Sequence, residues 1–116
     1  MIPSNTLLQP DGTIVLLDFD FCGWGWRIYD LAGYLLEIEY WGAAPTTAEA
    51  FLQGYEEKRV LDPLERDVLP TFEVMRAIFS LRTPALHVNE WGSAYLTERM
   101  VTIHLEIIQR NLLKMH

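Results

Sequence analysis

The sequence predicts an α+β fold, mostly α, with a short N-terminal β-hairpin followed by about four helices. Three observations lead there. Two short apolar runs, Thr6-Leu7-Leu8 and Thr13 to Leu17, flank Gln9-Pro10-Asp11-Gly12. From about Arg27 the apolar period becomes helical. Breaks rich in Gly, Pro and Asp then divide the rest into segments of helix length.

Half of the 116 residues are hydrophobic and 22% are charged, which suits one folded domain with its own core. A single domain over 1–116 is expected, with the hairpin and a bend in 1–25 and a helical lobe in 26–116. The net charge is −7. Acidity of this size argues against nucleic acid, which is bound by neutralising phosphates, and against an anionic membrane surface. Its ordinary use is solubility. The lone Cys22 excludes an internal disulfide and fits a reducing, cytoplasmic setting. No base lies near it in sequence, so it reads as structural. Met1-Ile2-Pro3-Ser4-Asn5 lacks the basic region and apolar core of a signal peptide. No apolar run approaches the roughly 20 residues of a membrane span.

In the hairpin, Pro10 presets φ and Gly12 accepts φ > 0, which makes Pro-Asp-Gly a strong turn signal. Ile14 to Leu17 are apolar at four consecutive positions, so both faces of that strand are expected to be covered. Gly23-Trp24-Gly25 forms a bend. In the first helix Ile28, Leu31, Ala32, Leu35 and Ile38 make one stripe, broken by Gly42 to Pro45. Thr46 with Glu49 reads as a capping box for a second helix through Phe51 and Tyr55. Asp62-Pro63 opens a third, with Val68, Phe72, Met75 and Phe79 on one stripe. Pro70 predicts a kink or a start near Thr71, and Thr83-Pro84 an end. Val88 to Gly92 reads as a connector. Ser93 or Thr97 opens the last helix, whose two stripes run through Leu96, Met100, Ile103 and Ile107 and through Val101, Leu105, Ile108 and Leu112.

Chemistry concentrates where the apolar strand ends in Asp18-Phe19-Asp20. If the chain stays extended through Phe19, both carboxylates face one side. Acids so placed hold a divalent cation, usually Mg²⁺, against a phosphate. The plainer alternative is that Asp18 ends the strand and Asp20 is solvated. His87, His104 and His116 lack metal-ligand spacing. Trp24, Trp26, Trp41 and Trp91 suit packing better than a pocket. Arg27 suits a salt bridge to a nearby acid better than a phosphate contact.

Asn5-Thr6-Leu7-Leu8, the Pro-Asp-Gly turn, Asp18-Phe19-Asp20, Gly23 to Gly25 and Tyr29-Asp30-Leu31-Ala32 together resemble the aminoglycoside phosphotransferase family. That family includes choline-kinase-like and homoserine-kinase-like enzymes. The resemblance covers about residues 1 to 57, including Phe51-Leu52-Gln53-Gly54-Tyr55, and beyond that is one of helical character. It implies the C-terminal lobe of a protein-kinase-like fold, with Mg²⁺ and ATP as cofactors. Asn5 and Asp18 match metal ligands, and Asp18 also matches the link to the nucleotide phosphates. Asp20 falls beside them as a third candidate ligand. Asp30 matches a brace for the catalytic loop and is supporting, as is Arg27.

The same resemblance places a catalytic His-Gly-Asp ahead of Asn5, where the chain begins, so no residue is assigned as catalytic. No glycine loop or nucleotide-binding lysine strand is present either. The expectation is a truncated small-molecule kinase lobe that lacks full activity alone. Its partners would be a second copy in a homodimer, a small-molecule acceptor or a separate N-terminal-lobe chain. The alternative is a non-catalytic homodimeric module that binds a ligand or a protein.

Overall fold

The computed structural model describes residues 3–20 and 22–115. A 3₁₀ turn at Pro3–Asn5 leads into β1 (Thr6–Leu8) and β2 (Ile14–Leu16). Five helices follow: α1 (Arg27–Tyr40), α2 (Pro45–Glu56), α3 (Pro63–Leu86), the single turn α4 (Val88–Trp91) and α5 (Glu98–Lys114). A 3₁₀ turn, Ser93–Tyr95, separates the last two. The expected α+β, mostly helical chain with an N-terminal hairpin is therefore the fold.

β1 and β2 pair antiparallel, with Thr6 opposite Leu16, Leu7 opposite Val15 and Leu8 opposite Ile14. The turn is the one that Pro10-Asp11-Gly12 predicts. Gly12 N–H donates to the Gln9 carbonyl at 2.9 Å, and Gln9 N–H donates to the Thr13 carbonyl at 2.8 Å. Gly12 takes φ 85°, a conformation that costs glycine nothing. The Asp11 carboxylate accepts the Thr13 N–H at 2.9 Å. That backbone bond, aided by the Thr13 side chain, holds the Asp11 carboxyl below its usual value.

One expectation fails here. Ile14 is 64% exposed and Leu17 49%, so the four apolar residues are not covered on both faces. The hairpin is two strands wide and is fastened to α1 at its base. There the Ser4 N–H and hydroxyl donate to the Glu37 carboxylate at 3.3 and 3.2 Å.

α1 runs between the two halves of the core. At its N-terminal end Ile28 and Leu31 bury against Leu61, with Phe51, Leu52, Tyr55, Val68, Leu69 and Phe72 around them. At its C-terminal end Leu36 buries against Ala77 of α3 and Ile107 of α5. Leu36 rather than Leu35 completes the buried stripe. Gly33 lets α3 come close: a Cβ there would lie 2.9 Å from Arg76 Nε.

The helix ends follow local chemistry in part. Asp62 caps α3 in a full capping box with Glu65, and Pro63 occupies the first turn. Thr97 caps α5 by accepting the Met100 N–H at 3.2 Å. The box expected from Thr46 and Glu49 does not form, because Pro45 already opens α2 behind Ala44. α3 neither waits for Thr71 nor ends at Thr83; it carries Pro70 and Pro84 inside its 24 residues. Packing against α1 and α5 along this length overrides the local preference. The expected connector at Val88 is the helical turn α4. Among the described residues, no helix is long and apolar enough to cross a membrane.

Candidate functional site

The open end of the hairpin brings two of the three predicted ligands together. The ladder runs one step past the strands, with the Leu17 N–H donating to the Asn5 carbonyl at 2.8 Å. Asn5 is thereby set opposite Leu17, one residue from Asp18. Asp18 then leaves the extended conformation at φ 57°, the single positive φ of a non-glycine residue among those described. The left-handed region costs an L-residue energy, and Asp is one of the few side chains that enters it readily. Asn5 Nδ2 donates to Asp18 Oδ2 at 3.5 Å, the long limit of a hydrogen bond. Asn5 is half-buried and Asp18 exposed.

Asp20 is exposed one turn further on, where the Cys22 N–H donates to the Phe19 carbonyl at 2.9 Å. It shares no hydrogen bond with Asn5 or Asp18. The left-handed step at Asp18 breaks the straight strand on which the alternation of Asp18 and Asp20 depended. Cys22 is exposed and unpaired. Among the described residues no three His, Cys, Asp or Glu side chains form a metal-holding group. A pair of oxygen-bearing side chains open to solvent suits Mg²⁺, which keeps waters and takes few protein ligands, better than a closed cage. Half a turn of the Asn5 amide presents Oδ1 in place of Nδ2.

The supporting residues lie in the first turn of α1. Asp30 stands in the first turn of α1, where a carboxylate complements the helix N-terminus. Arg27 opens the same helix and makes the salt bridge expected of it. Its Nε donates to Glu65 Oε1 and its Nη2 to Glu65 Oε2. This pairing raises the Arg27 pKa and lowers that of Glu65. Tyr55 adds a smaller pull on Arg27, yet no hydrogen bond of ordinary geometry closes on Arg27 Nη1. Glu65 also accepts the Asp62 N–H at 3.2 Å. One carboxylate thus caps α3 and ties it to the start of α1. Sequence reasoning missed Glu65, although its spacing from Asp62 is the capping-box signal.

Two buried polar groups lie away from this end. Asn111, fully buried on α5, donates to Glu73 of α3 at 2.6 Å. Burial pushes the Glu73 carboxyl up, against the pull of that hydrogen bond. His104 is packed: it is 3% exposed, its Nδ1 lies 2.7 Å from the Met100 carbonyl, and burial lowers its pKa. His87 stacks on Trp91 with ring centroids 4.4 Å apart. His116 lies outside the described residues. Trp24, Trp26 and Trp41 are all exposed, and Trp26 also meets Phe72 edge-on at 5.9 Å.

Comparison with known proteins agrees with the family resemblance. The model of the phosphotransferase enzyme family matches residues 1–68. An uncharacterised protein of Deinococcus radiodurans is 33% identical over 97 residues, covering 80% of this chain and 28% of that protein. An uncharacterised protein of Synechocystis sp. is 33% identical over 86 residues, with coverages of 74% and 23%. A homoserine kinase of Caulobacter sp. is 30% identical over 98 residues, with coverages of 78% and 29%. The chain spans under a third of the length of each of these relatives. No solved structure matches it.

Proposed function

Since the chain belongs to the phosphotransferase enzyme family, we propose that its hairpin end is the metal- and phosphate-holding part of an ATP-dependent transfer to a small-molecule acceptor. The observation that carries this reading is the meeting of Asn5 with a left-handed Asp18 at 3.5 Å. Strained backbone at a solvent-facing acid is what a site under functional constraint retains. Bound there, Mg²⁺ would neutralise charge on the nucleotide phosphates. Asn5 and Asp18 would be its protein ligands, with Asp18 also fixing the phosphates through it. Asp20 would contribute through charge or as a further ligand. Asp30 and Arg27 support the start of α1. Within this reading no described residue is assigned as the acceptor-orienting base or as the nucleotide clamp.

The test is calorimetry of MgATP binding with Asp18→Asn as the control. Asn keeps the left-handed backbone and removes the charge. Weak Mg²⁺-dependent binding that vanishes in the variant is expected. No heat at millimolar nucleotide would overturn the reading.

A second reading is favoured by the bare hairpin. Leu7, Leu8, Ile14 and Leu17 expose apolar side chains on a two-stranded sheet that is marginal by itself. A homodimer covering this face is the simplest solution, whether or not a ligand binds. A stable monomer by light scattering at micromolar concentration would remove it.

A further inference from the structure

A groove of about 640 Å³ lies between the Gly25-Trp26-Arg27 bend and the first turns of α3. Its size is that of a small-molecule site. Trp26 and Phe72 meet edge-on in its wall, and Leu64 and Val68 add aliphatic surface. Its charges are unequal in their freedom. Glu65 is spent on Arg27 and on the cap of α3. Arg59, exposed three residues past the end of α2, also lines the groove, and among the described residues no carboxylate pairs with its side chain. Two guanidinium groups and one carboxylate leave this lining positive, on a chain whose net charge is −7. An apolar hollow with a fixed ion pair at its back and one free cation at its rim selects an anion with an apolar body.

We propose that this groove binds a small aromatic or apolar anion, with Arg59 taking the acidic group and Trp26, Val68 and Phe72 packing the body. Carboxylates and phosphomonoesters share the required chemistry, since a guanidinium meets both with paired N–H donors. Neither Asn5 nor Asp18 is among the residues that line it, so it does not depend on the metal reading above.

Nuclear magnetic resonance of the full chain, titrated with phenylphosphate, phenylacetate and the uncharged phenol, tests this. The expected result is saturable shifts of the Trp26 indole N–H and the Arg59 Nε–H with one or both anions. The stronger of the two names the acidic group. Phenol should bind on the order of ten-fold more weakly, and Arg59→Gln should lose about the same factor for the anions while leaving phenol unchanged. Asp18→Asn should change neither. Arg59 is exposed, so its variant keeps the fold, checked by its unchanged remaining resonances. Absence of any shift at Trp26 with millimolar ligand, or equal affinity for anion and phenol, overturns the proposal. So does an Arg59→Gln chain that binds the anions as the parent does.

Discussion

Arg27 and Glu65 stand 38 residues apart in sequence and are joined by two parallel hydrogen bonds, guanidinium to carboxylate. Glu65→Gln therefore removes one side of a clamp that also serves as an N-terminal cap. Its pH dependence has a definite sign. The folded carboxyl titrates below its ordinary value of 4.5, held there first by Arg27. The stabilisation is present above 4.5 and is lost as pH falls through the lower, folded value. Melting temperatures of parent and variant should differ at neutral pH and converge on acidification. A gap that persists in acid would show that the charge is not the cause.

Glu73 should behave in the opposite sense. Burial raises its folded carboxyl above the ordinary value of 4.5. Stability then falls as pH rises from 4.5 through the raised value, and the ionised group is a liability at neutral pH. Glu73→Gln keeps an acceptor for Asn111 and removes the charge. The variant should melt higher than the parent at neutral pH and equally below 4.5. A lower melting temperature at neutral pH would show that the carboxylate itself is needed.

The backbone at Asp18 can be separated from its charge. Asp18→Gly and Asp18→Ala both remove the carboxylate, but only Ala carries a Cβ into the left-handed region at φ 57°. The Gly variant should be the more stable by about 1 kcal/mol in urea unfolding. Equal stabilities would mean that the chain relaxes to an ordinary φ once Asp is gone.

Gly33→Ala places a methyl 2.9 Å from Arg76 Nε and 3.1 Å from Nη2. The guanidinium, which lies 4.8 Å from the Tyr29 ring centroid, has to move. Ala gains about 1 kcal/mol of helix propensity over Gly, and the displaced cation–π contact takes back a similar amount. The net change should stay within about 1 kcal/mol while the Arg76 Nε–H resonance shifts. A stabilised variant with an unmoved resonance contradicts this packing.

Ile107 is 1% exposed and joins Leu36 and Ala77 where α1, α3 and α5 meet. Truncation to Ala leaves a cavity among three helices and should cost about 3 kcal/mol in urea unfolding. A cost under about 1 kcal/mol would mean that the three helices close on the gap.

What could be read in advance was local. The Pro10-Asp11-Gly12 turn, the Asp62 and Thr97 caps and the α1 stripe each depend on residues within a few positions of one another. The order of Asn5, Asp18 and Asp30 was legible as a motif along the chain. What could not be read was set by distant neighbours. Pro70 and Pro84 signal a break, yet α3 continues as one helix past both, packed against α1 and α5. The four apolar residues from Ile14 signal burial, yet no second layer lies over them among the described residues. The partner of Arg27 was hidden for the same reason, since only the fold decides which acid stands in reach.

The two prolines inside α3 have a mechanical consequence. Each lacks an N–H, so the carbonyls of Arg66 and Ser80 lose their ordinary helical donors. α3 is therefore a rod with two joints, not one stiff strut. The joint at Pro70 falls just beyond Leu64, Glu65 and Val68, which line the groove. The segment ahead of that joint is braced to α1 by Glu65. Cutting that brace frees a hinge, and the groove wall would flex before the remainder of the helix loosened.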